Sequence, residues 1–458
     1  METVEKRGGF SGRLGFLLAT AGAAVGLGNL WRFPYLAEQY GGGIFLLVYL
    51  ILVVTFGVVM LITELAIGRR TGKSCFDALM DLCDKYPIIG WIAMLVPAII
   101  VPYYCVIGGW VTKYFADYAT GNGSDLAANG FFGSFTQMDL GGLFDSPVPW
   151  FLIYALLTIV VVVFGVEKGI ERLSKVLMPA LFVLLIAICV YMLTIPGISD
   201  GLAYYLVPDF DKLSFSTLAG AVSQLFYSLS IAMGISIAYG SYMRKQDNIE
   251  KSAYTVALTD TSVAFLSGLM IVPAFVLFSG SSEGMTSGFG LLFTTMPQVF
   301  DVMPGGEFVG IAFFLLAMFA ALTSSIALME AVVAVLKDHW HMTRVRACVI
   351  VSAVILVLGM LACLGEGPLS FIEPLGMTFL AFFDFITNSV MMPIVALITC
   401  ILIGYVVKTR YVVEEVESSG CEFRIKTVYG FMIKYVCPVI LVIILVVGIL
   451  GGLGIYTI

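Results

Sequence analysis

The stretch Gly22-Ala-Ala-Val-Gly-Leu-Gly-Asn-Leu-Trp31 puts three glycines and an asparagine inside a long apolar run, and Arg32-Phe-Pro34 follows at once. A helix broken there would leave carbonyls free at one half-helix end and N–H groups at the other. Carbonyl oxygens suit a small hard cation, and N–H groups at the positive end of a helix dipole suit a carboxylate. Gln224-Leu-Phe-Tyr-Ser-Leu-Ser-Ile-Ala-Met-Gly234 is a second such place, polar and glycine-containing in the middle of another apolar run. Glycine also serves plain kinks and close helix packing. Two interrupted segments favour binding, because unpaired backbone in a bilayer is costly unless it lines a polar cavity or meets a ligand. A dinucleotide-binding reading of the glycines fails, since no strand precedes them.

The elements that must position these residues are membrane helices. The 458 residues are 60% hydrophobic and only 12% charged, about half the charge of a soluble chain. Apolar runs of roughly 20 residues, each able to cross a hydrocarbon core of about 30 Å, recur along the whole length. Eleven spans are expected, near 13–38, 42–68, 88–118, 148–165, 172–195, 215–242, 252–279, 307–336, 346–364, 376–407 and 429–456. The alternation of a barrel strand is absent. The fold class is thus an all-α polytopic membrane protein, a single transport domain over 1–458. Its first half covers about 10–195, its second about 213–407, and an extra helix about 429–456. The broken spans, first and sixth, start from opposite faces and hold corresponding places in the two halves, the pattern of an inverted repeat.

Twenty-one of the 24 Lys and Arg residues lie at the N-terminus or in every second loop, leaving Arg32, Lys113 and Lys212 on the other side. That bias places the N-terminus in the cytoplasm and, with an odd number of spans, the C-terminus outside. No cleavable signal peptide is evident. The nine cysteines are scattered through spans and cytoplasmic loops, against a disulfide framework. The only histidines, His339 and His341, are neighbours in a cytoplasmic loop, and no nucleophile–base pair or metal cluster appears in the spans; an enzyme is not expected. Nor is a nucleic-acid partner.

The sequences RLGFLLATAGAAVGLGNLWRFPYLAEQYGGGIF, SLSIAMG and ALTSSIALME closely resemble the first, sixth and eighth spans of the neurotransmitter:sodium symporter family, in its bacterial LeuT/MhsT-like amino-acid branch. The resemblance covers nearly the whole chain. It implies the LeuT-like 5+5 inverted repeat, two sodium sites and an amino-acid substrate imported across the cell membrane. One sodium ion would take the carbonyls of Gly22, Val25 and Ala320 with the hydroxyls of Thr323 and Ser324. A Thr-Ser pair in a span often only back-bonds its own helix, but beside a glycine-broken partner it favours the site. The other ion would take the carbonyl of Ala24, the amide oxygen of Asn29, Ser228, Asp260 and the substrate carboxylate. By the same resemblance that carboxylate sits near the N–H groups of Leu27 and Gly28 and the Tyr104 hydroxyl. The ammonium meets the carbonyls of Ala24 and Tyr227 and the Ser230 hydroxyl. Ala23, Ile100, Tyr227, Met233, Ser324 and Leu328 would line the side-chain pocket, which carries no charge and suits bulky apolar or aromatic amino acids.

Asp260 departs from the chloride-dependent pattern, in which a neutral Asn stands there with a Ser one turn on; here the second place is Ala264. A fixed carboxylate supplies the charge that chloride supplies elsewhere, so chloride independence is expected, although Tyr49, Gln224 and Ser228 are present. An unpaired acid in mid-span costs about 2.5–3.5 kcal/mol, which argues that Asp260 has partners. The family's gates imply a pair between Arg32 and Asp384 across the outer vestibule with Tyr227 as lid. On the inside they imply a pair between Arg7 and Asp338 with Phe10 and Tyr242 nearby. Glu64 matches an acid that braces the broken sixth span, and Gly169 and Pro179 match a spacing that accompanies unwinding of the fifth. Glu330 has no expected partner. The runner-up function is a receptor that binds an amino acid without translocating it.

Overall fold

The computed structural model describes residues 9–83, 87–279 and 288–454. Its architecture is helical. The first apolar run is split into α1 (Arg13–Ala24) and α2 (Gly28–Gln39), bent by 53° at the break. There follow α3 (Gly43–Thr71), α4 (Ile88–Ala119), α5 (Pro147–Val163) and α6 (Val166–Leu193). The sixth run is split into α7 (Phe215–Ser228) and α8 (Ile235–Ser241). Next come α9 (Ile249–Phe278), the short α10 (Met296–Val302), α11 (Gly306–His339), α12 (Arg344–Gly365), α13 (Phe379–Val406) and α14 (Lys426–Gly452).

Each of the eleven expected segments has a helical counterpart. By length and apolarity, eight helices among the described residues can cross a membrane, nine if α1 and α2 count as one span. The two segments outside that number have physical reasons. α5 has only 17 residues, and α7–α8 is interrupted over 229–234, where Ser230 and Ala232 take positive φ. The fifth run starts earlier than expected, because a wide turn over Val166–Glu171 carries Gly169 into the helix.

Apolar side chains coat the outside as well as the core. On α6, Val176, Val183, Ile186 and Val190 are all exposed at helical spacing, a stripe that suits lipid rather than water. Inside, α11 packs along α4, which also carries α5 and α12, while α1 is held between α6, α9 and α11. The two broken pairs therefore face one another in the centre of a frame made by α3, α4, α9 and α11.

The break between α7 and α8 is braced from α3. Glu64, 2% exposed, accepts the N–H of Ala232 at 2.7 Å, satisfying a donor that the distorted backbone cannot satisfy internally. Glu64→Ala is expected to destabilise the protein by about 1–3 kcal/mol by orphaning that buried N–H. Thermal unfolding of the purified protein checks this, and Glu64→Gln, which keeps an acceptor, should recover most of the loss.

Candidate functional site

At the first break α1 runs to Ala24 and accepts its last turn's bond at Val25, whose N–H reaches the Ala21 carbonyl at 2.8 Å. Val25 itself is extended (φ -66°, ψ 106°), so the chain leaves the helix there and re-enters it at Gly28. The freed groups find partners from other helices. The Leu27 N–H meets the Tyr104 hydroxyl at 3.2 Å, and Gln224 Nε2 donates to the Gly28 carbonyl at 3.2 Å. Ser324 Oγ donates to the carbonyls of Val25 (3.1 Å) and Ala23 (3.3 Å), and Ser230 Oγ lies 3.4 Å from the Ala23 carbonyl. The two glycines after Val25 are required sterically. A Cβ at Gly26 would lie 2.8 Å from Ser324 Oγ and 2.9 Å from the Tyr104 hydroxyl, and one at Gly28 would lie 2.6 Å from the Tyr227 ring.

These groups close on one cavity. Ala23, Ala24, Gly28, Ile100, Tyr104, Tyr227, Ser228, Ser230, Met233, Ser324 and Leu328 all line it. Leu27 is the only expected substrate residue outside the lining, and its N–H still bonds Tyr104. Gly26 and Ile235 line it too; sequence reasoning missed both, although Gly26 stands inside the stretch that signalled the break. The cavity measures about 20 Å³, room for about one water. Tyr227 is also part of the wall of a larger cavity of about 210 Å³, which Arg32, Asp384 and residues of α14 line. On the opposite side Phe10 packs edge-on against Phe16 (5.6 Å), Tyr239 (5.6 Å) and Tyr242 (6.2 Å) and is 5% exposed. The central cavity is thus plugged toward the N-terminal face and separated by one ring from a vestibule at the other.

The residues of the first expected ion set lie on the facing sides of α1 and α11. Ser324 reaches across to Val25, and a Cβ at Gly22 would lie 3.3 Å from Cβ of Thr323. Thr323 Oγ1 back-bonds the carbonyls of Ala320 (3.0 Å) and Phe319 (3.1 Å), so it lies beside Ala320 rather than crossing the gap. Of the second expected set, Asn29, Ser228 and Asp260 are in contact, with one difference from the expectation. Asn29 was expected to offer its amide oxygen; instead that oxygen accepts the Gly26 N–H at 3.0 Å. Its Nδ2 points at Asp260 Oδ1 (2.7 Å), the Asp260 carbonyl (3.1 Å) and Ser228 Oγ (3.1 Å). Ser228 Oγ in turn donates to Asp260 Oδ2 at 2.8 Å. Three acceptors from two helices meet there, and an NH₂ group is the electropositive end available to them. Asp260 is 0% exposed and partnered, as the cost of an unpaired acid requires.

The gates differ more. Arg32 and Asp384 line the same cavity but make no ion pair within 4 Å. Arg32 donates to the Ser223 carbonyl (3.2 Å) and Ser223 Oγ (2.9 Å) and lies over the Tyr227 ring at 5.4 Å. Asp384 accepts from Tyr103 (3.2 Å) and Asn388 (2.6 Å). Each charge has nearer polar partners on its own side, so the vestibule stays open between them. Arg7 lies outside the described residues; Asp338 accepts the Ser74 N–H at 2.7 Å. Glu330, fully buried, takes the Tyr242 hydroxyl at 2.9 Å and Arg344 at 2.5 Å. A further tie joins Ser11 to Glu171: its N–H donates at 2.7 Å, and Lys175 pairs with the same carboxylate at 2.6 Å. The start of α1 is thereby fastened to α6.

Comparison with known proteins identifies the family. The profile of the sodium:neurotransmitter symporter family matches residues 7–123 and 118–452. The uncharacterized sodium-dependent transporter YhdH of Bacillus subtilis (strain 168) is 33% identical over 455 residues, covering 96% of this chain and 98% of that protein. An uncharacterized sodium-dependent transporter of Haemophilus influenzae (strain ATCC 51907 / DSM 11121 / KW20 / Rd) is 31% identical over 458 residues, again 96% and 98%. The crystal structure of MhsT in complex with L-phenylalanine superposes with a TM-score of 0.85 at 34% identity, covering 96% of this chain and 100% of that one. Sequence and three-dimensional likeness thus run almost from end to end, and the chain belongs to the sodium:neurotransmitter symporter family, sodium-coupled secondary transporters and not enzymes.

Proposed function

We propose that the chain imports neutral apolar or aromatic amino acids with sodium by alternating access. The convergence of eleven expected substrate residues on one cavity between two broken helices carries this reading. The N–H groups of Leu27 and Gly28, with Tyr104, would take the substrate carboxylate, and the Ala24 and Tyr227 carbonyls with Ser230 the ammonium. Ala23, Ile100, Met233 and Leu328 offer an uncharged wall in which Met adapts to bulk. The related MhsT has been crystallised in complex with L-phenylalanine, an amino acid of this class.

Two sodium ions travel as co-substrates in this reading. One is held by Gly22, Val25, Ala320, Thr323 and Ser324, the other by Ala24, Asn29, Ser228, Asp260 and the substrate carboxylate itself. Hard cations favour such oxygen shells. Sharing the carboxylate couples ion to substrate: without the ion, the negative end of the substrate loses a partner. Asp260 supplies the fixed charge that makes chloride unnecessary. Two charges crossing 100 mV and two tenfold gradients provide together about 7.4 kcal/mol, an ideal accumulation of about 10⁵-fold. The N-terminus is cytoplasmic and the C-terminus outside in a bacterial inner membrane. The two halves, 10–195 and 213–407, rock about the central site, and the plug around Phe10 opens as the vestibule closes.

Equilibrium binding of radiolabelled leucine and tryptophan to the purified protein tests this. Binding should rise steeply with sodium, be absent in potassium, persist with gluconate in place of chloride, and be lost in Asn29→Ala. Binding unchanged in potassium would overturn the coupling. The receptor alternative predicts the same binding but no flux; accumulation in liposomes under a sodium gradient excludes it.

A further inference from the structure

On the N-terminal face the start of α6 meets the start of α1 through one carboxylate. Glu171, whose side chain is 1% exposed, accepts the Ser11 N–H at 2.7 Å and also the Ser11 hydroxyl. Lys175, four residues on, pairs with it at 2.6 Å. The carboxylate lies along the α1 backbone: a Cβ at Gly15 would collide with its Oε1 and Cδ and stand 2.6 Å from Cγ. Seven residues further along both helices the contact repeats, where a Cβ at Gly22 would lie 3.1 Å from Met178 Sδ. α1 thus rests on α6 at two glycines, and the outermost of them seats a charge. An acid near a helix start is favoured by the dipole alone, but that role needs no glycine on a neighbouring helix. Glycine is a poor helix residue, so Gly15 suits the carboxylate rather than α1 itself.

Ser11 follows directly on Phe10, and the segment is held from two sides. Phe10 is held by the rings of Phe16, Tyr239 and Tyr242, and Ser11 by Glu171. The polar side is built to let go. Lys175 stands on the carboxylate's own helix, and its side chain is 43% exposed. When Ser11 leaves, that cation stays, so the carboxylate is not left buried and unpaired, the costly result of breaking such a contact. Ser11 is itself exposed, and water takes over its freed N–H and hydroxyl.

We propose that Glu171 is a positioning residue for transport, a latch that holds the start of α1 on α6 and must release Ser11 before the Phe10 plug opens. The use of the latch in transport rests on the alternating-access reading. The latch itself is measurable in protein without substrate, ion gradient or flux.

Hydrogen exchange read by mass spectrometry, on the purified full-length chain in potassium without amino acid, tests it. Glu171→Gln should speed exchange at least about tenfold in peptides over 13–20 and 168–176 together, as expected when charge-assisted hydrogen bonds are lost. A peptide over 320–332 of α11 should not change. Gly15→Ala separates a latch from a structural contact. Alanine is the better helix former, so helix propensity alone predicts slower exchange in α1; displacement of the carboxylate predicts faster exchange in both peptides. Ser11→Ala, at an exposed position, keeps its N–H bond and should give a smaller rise. These two variants carry the test where Glu171→Gln does not fold. Unchanged exchange, a rise confined to 168–176, a rise that extends to α11, or slower exchange in Gly15→Ala would each overturn the latch. None of them touches sodium-dependent amino-acid binding by the wild type, whose absence would overturn the transport reading and leave the exchange result standing.

Discussion

Asp260→Ala is expected to abolish sodium-dependent amino-acid binding, with apparent affinity falling by at least about 100-fold, as when two charge-assisted hydrogen bonds of about 1.5–3 kcal/mol each are lost. The carboxylate is fully buried and is where Asn29 and Ser228 meet, at 2.7 and 2.8 Å. Removing it strips the proposed second ion site of its only fixed charge. It also leaves an amide and a hydroxyl pointing at a cavity that cannot satisfy them. The conservative variant separates charge from shape. Asp260→Asn keeps the hydrogen-bonding outline but not the negative charge, so it should bind weakly in gluconate and recover when chloride is supplied. Tyr49 and Gln224, both fully buried beside this site, remain to receive the anion. Radioligand binding in the two salts reads the result directly. Equal binding of Asp260→Asn in both salts, at wild-type strength, would show that the charge is dispensable and that chloride independence has another origin.

The central site was legible because it violates the rules of its surroundings. Glycines, Asn29, Ser228 and Asp260 stand in runs where lipid would favour none of them, and the breaks they mark bring together residues more than 200 positions apart, such as Ala23 and Ser324. What the sequence could not convey was orientation within a neighbourhood. That Asn29 turns its NH₂ rather than its oxygen to Asp260 depends on which acceptors converge from α7 and α9. That Arg32 prefers Ser223 depends on a hydroxyl one turn before Tyr227 lying nearer than a carboxylate on α13. Glu330 is the same case: its partner Arg344 is only 14 residues away, but across the turn between α11 and α12. Charge pairing is therefore a weak guide where several polar groups compete, while helix-breaking composition at membrane depth is a strong one.

Gly26→Ala is the second large effect expected, and it distinguishes a binding break from a mere kink. If the glycines only let α1 and α2 bend, an added methyl at Gly26 would alter packing slightly, since Val25 already carries the extended conformation with a full side chain. Gly26 takes no positive φ, so backbone strain is not at issue. The structure makes the cost local and functional: the new Cβ would stand 2.8 Å from Ser324 Oγ and 2.9 Å from the Tyr104 hydroxyl. Ser324 is the link between α11 and Val25, and Tyr104 holds the Leu27 N–H, so one methyl presses on the proposed sodium shell and carboxylate seat together. Overpacking of this kind costs about 1–3 kcal/mol, a loss of about 10–100-fold in binding. The variant should still purify as a folded protein, because the disturbed atoms surround a cavity rather than fill the core. The double variant Gly26→Ala, Ser324→Ala, which removes the closer clash, should not restore binding, since the hydroxyl it deletes is itself a proposed ligand. Wild-type affinity in Gly26→Ala would reduce the break to a hinge and move the site elsewhere.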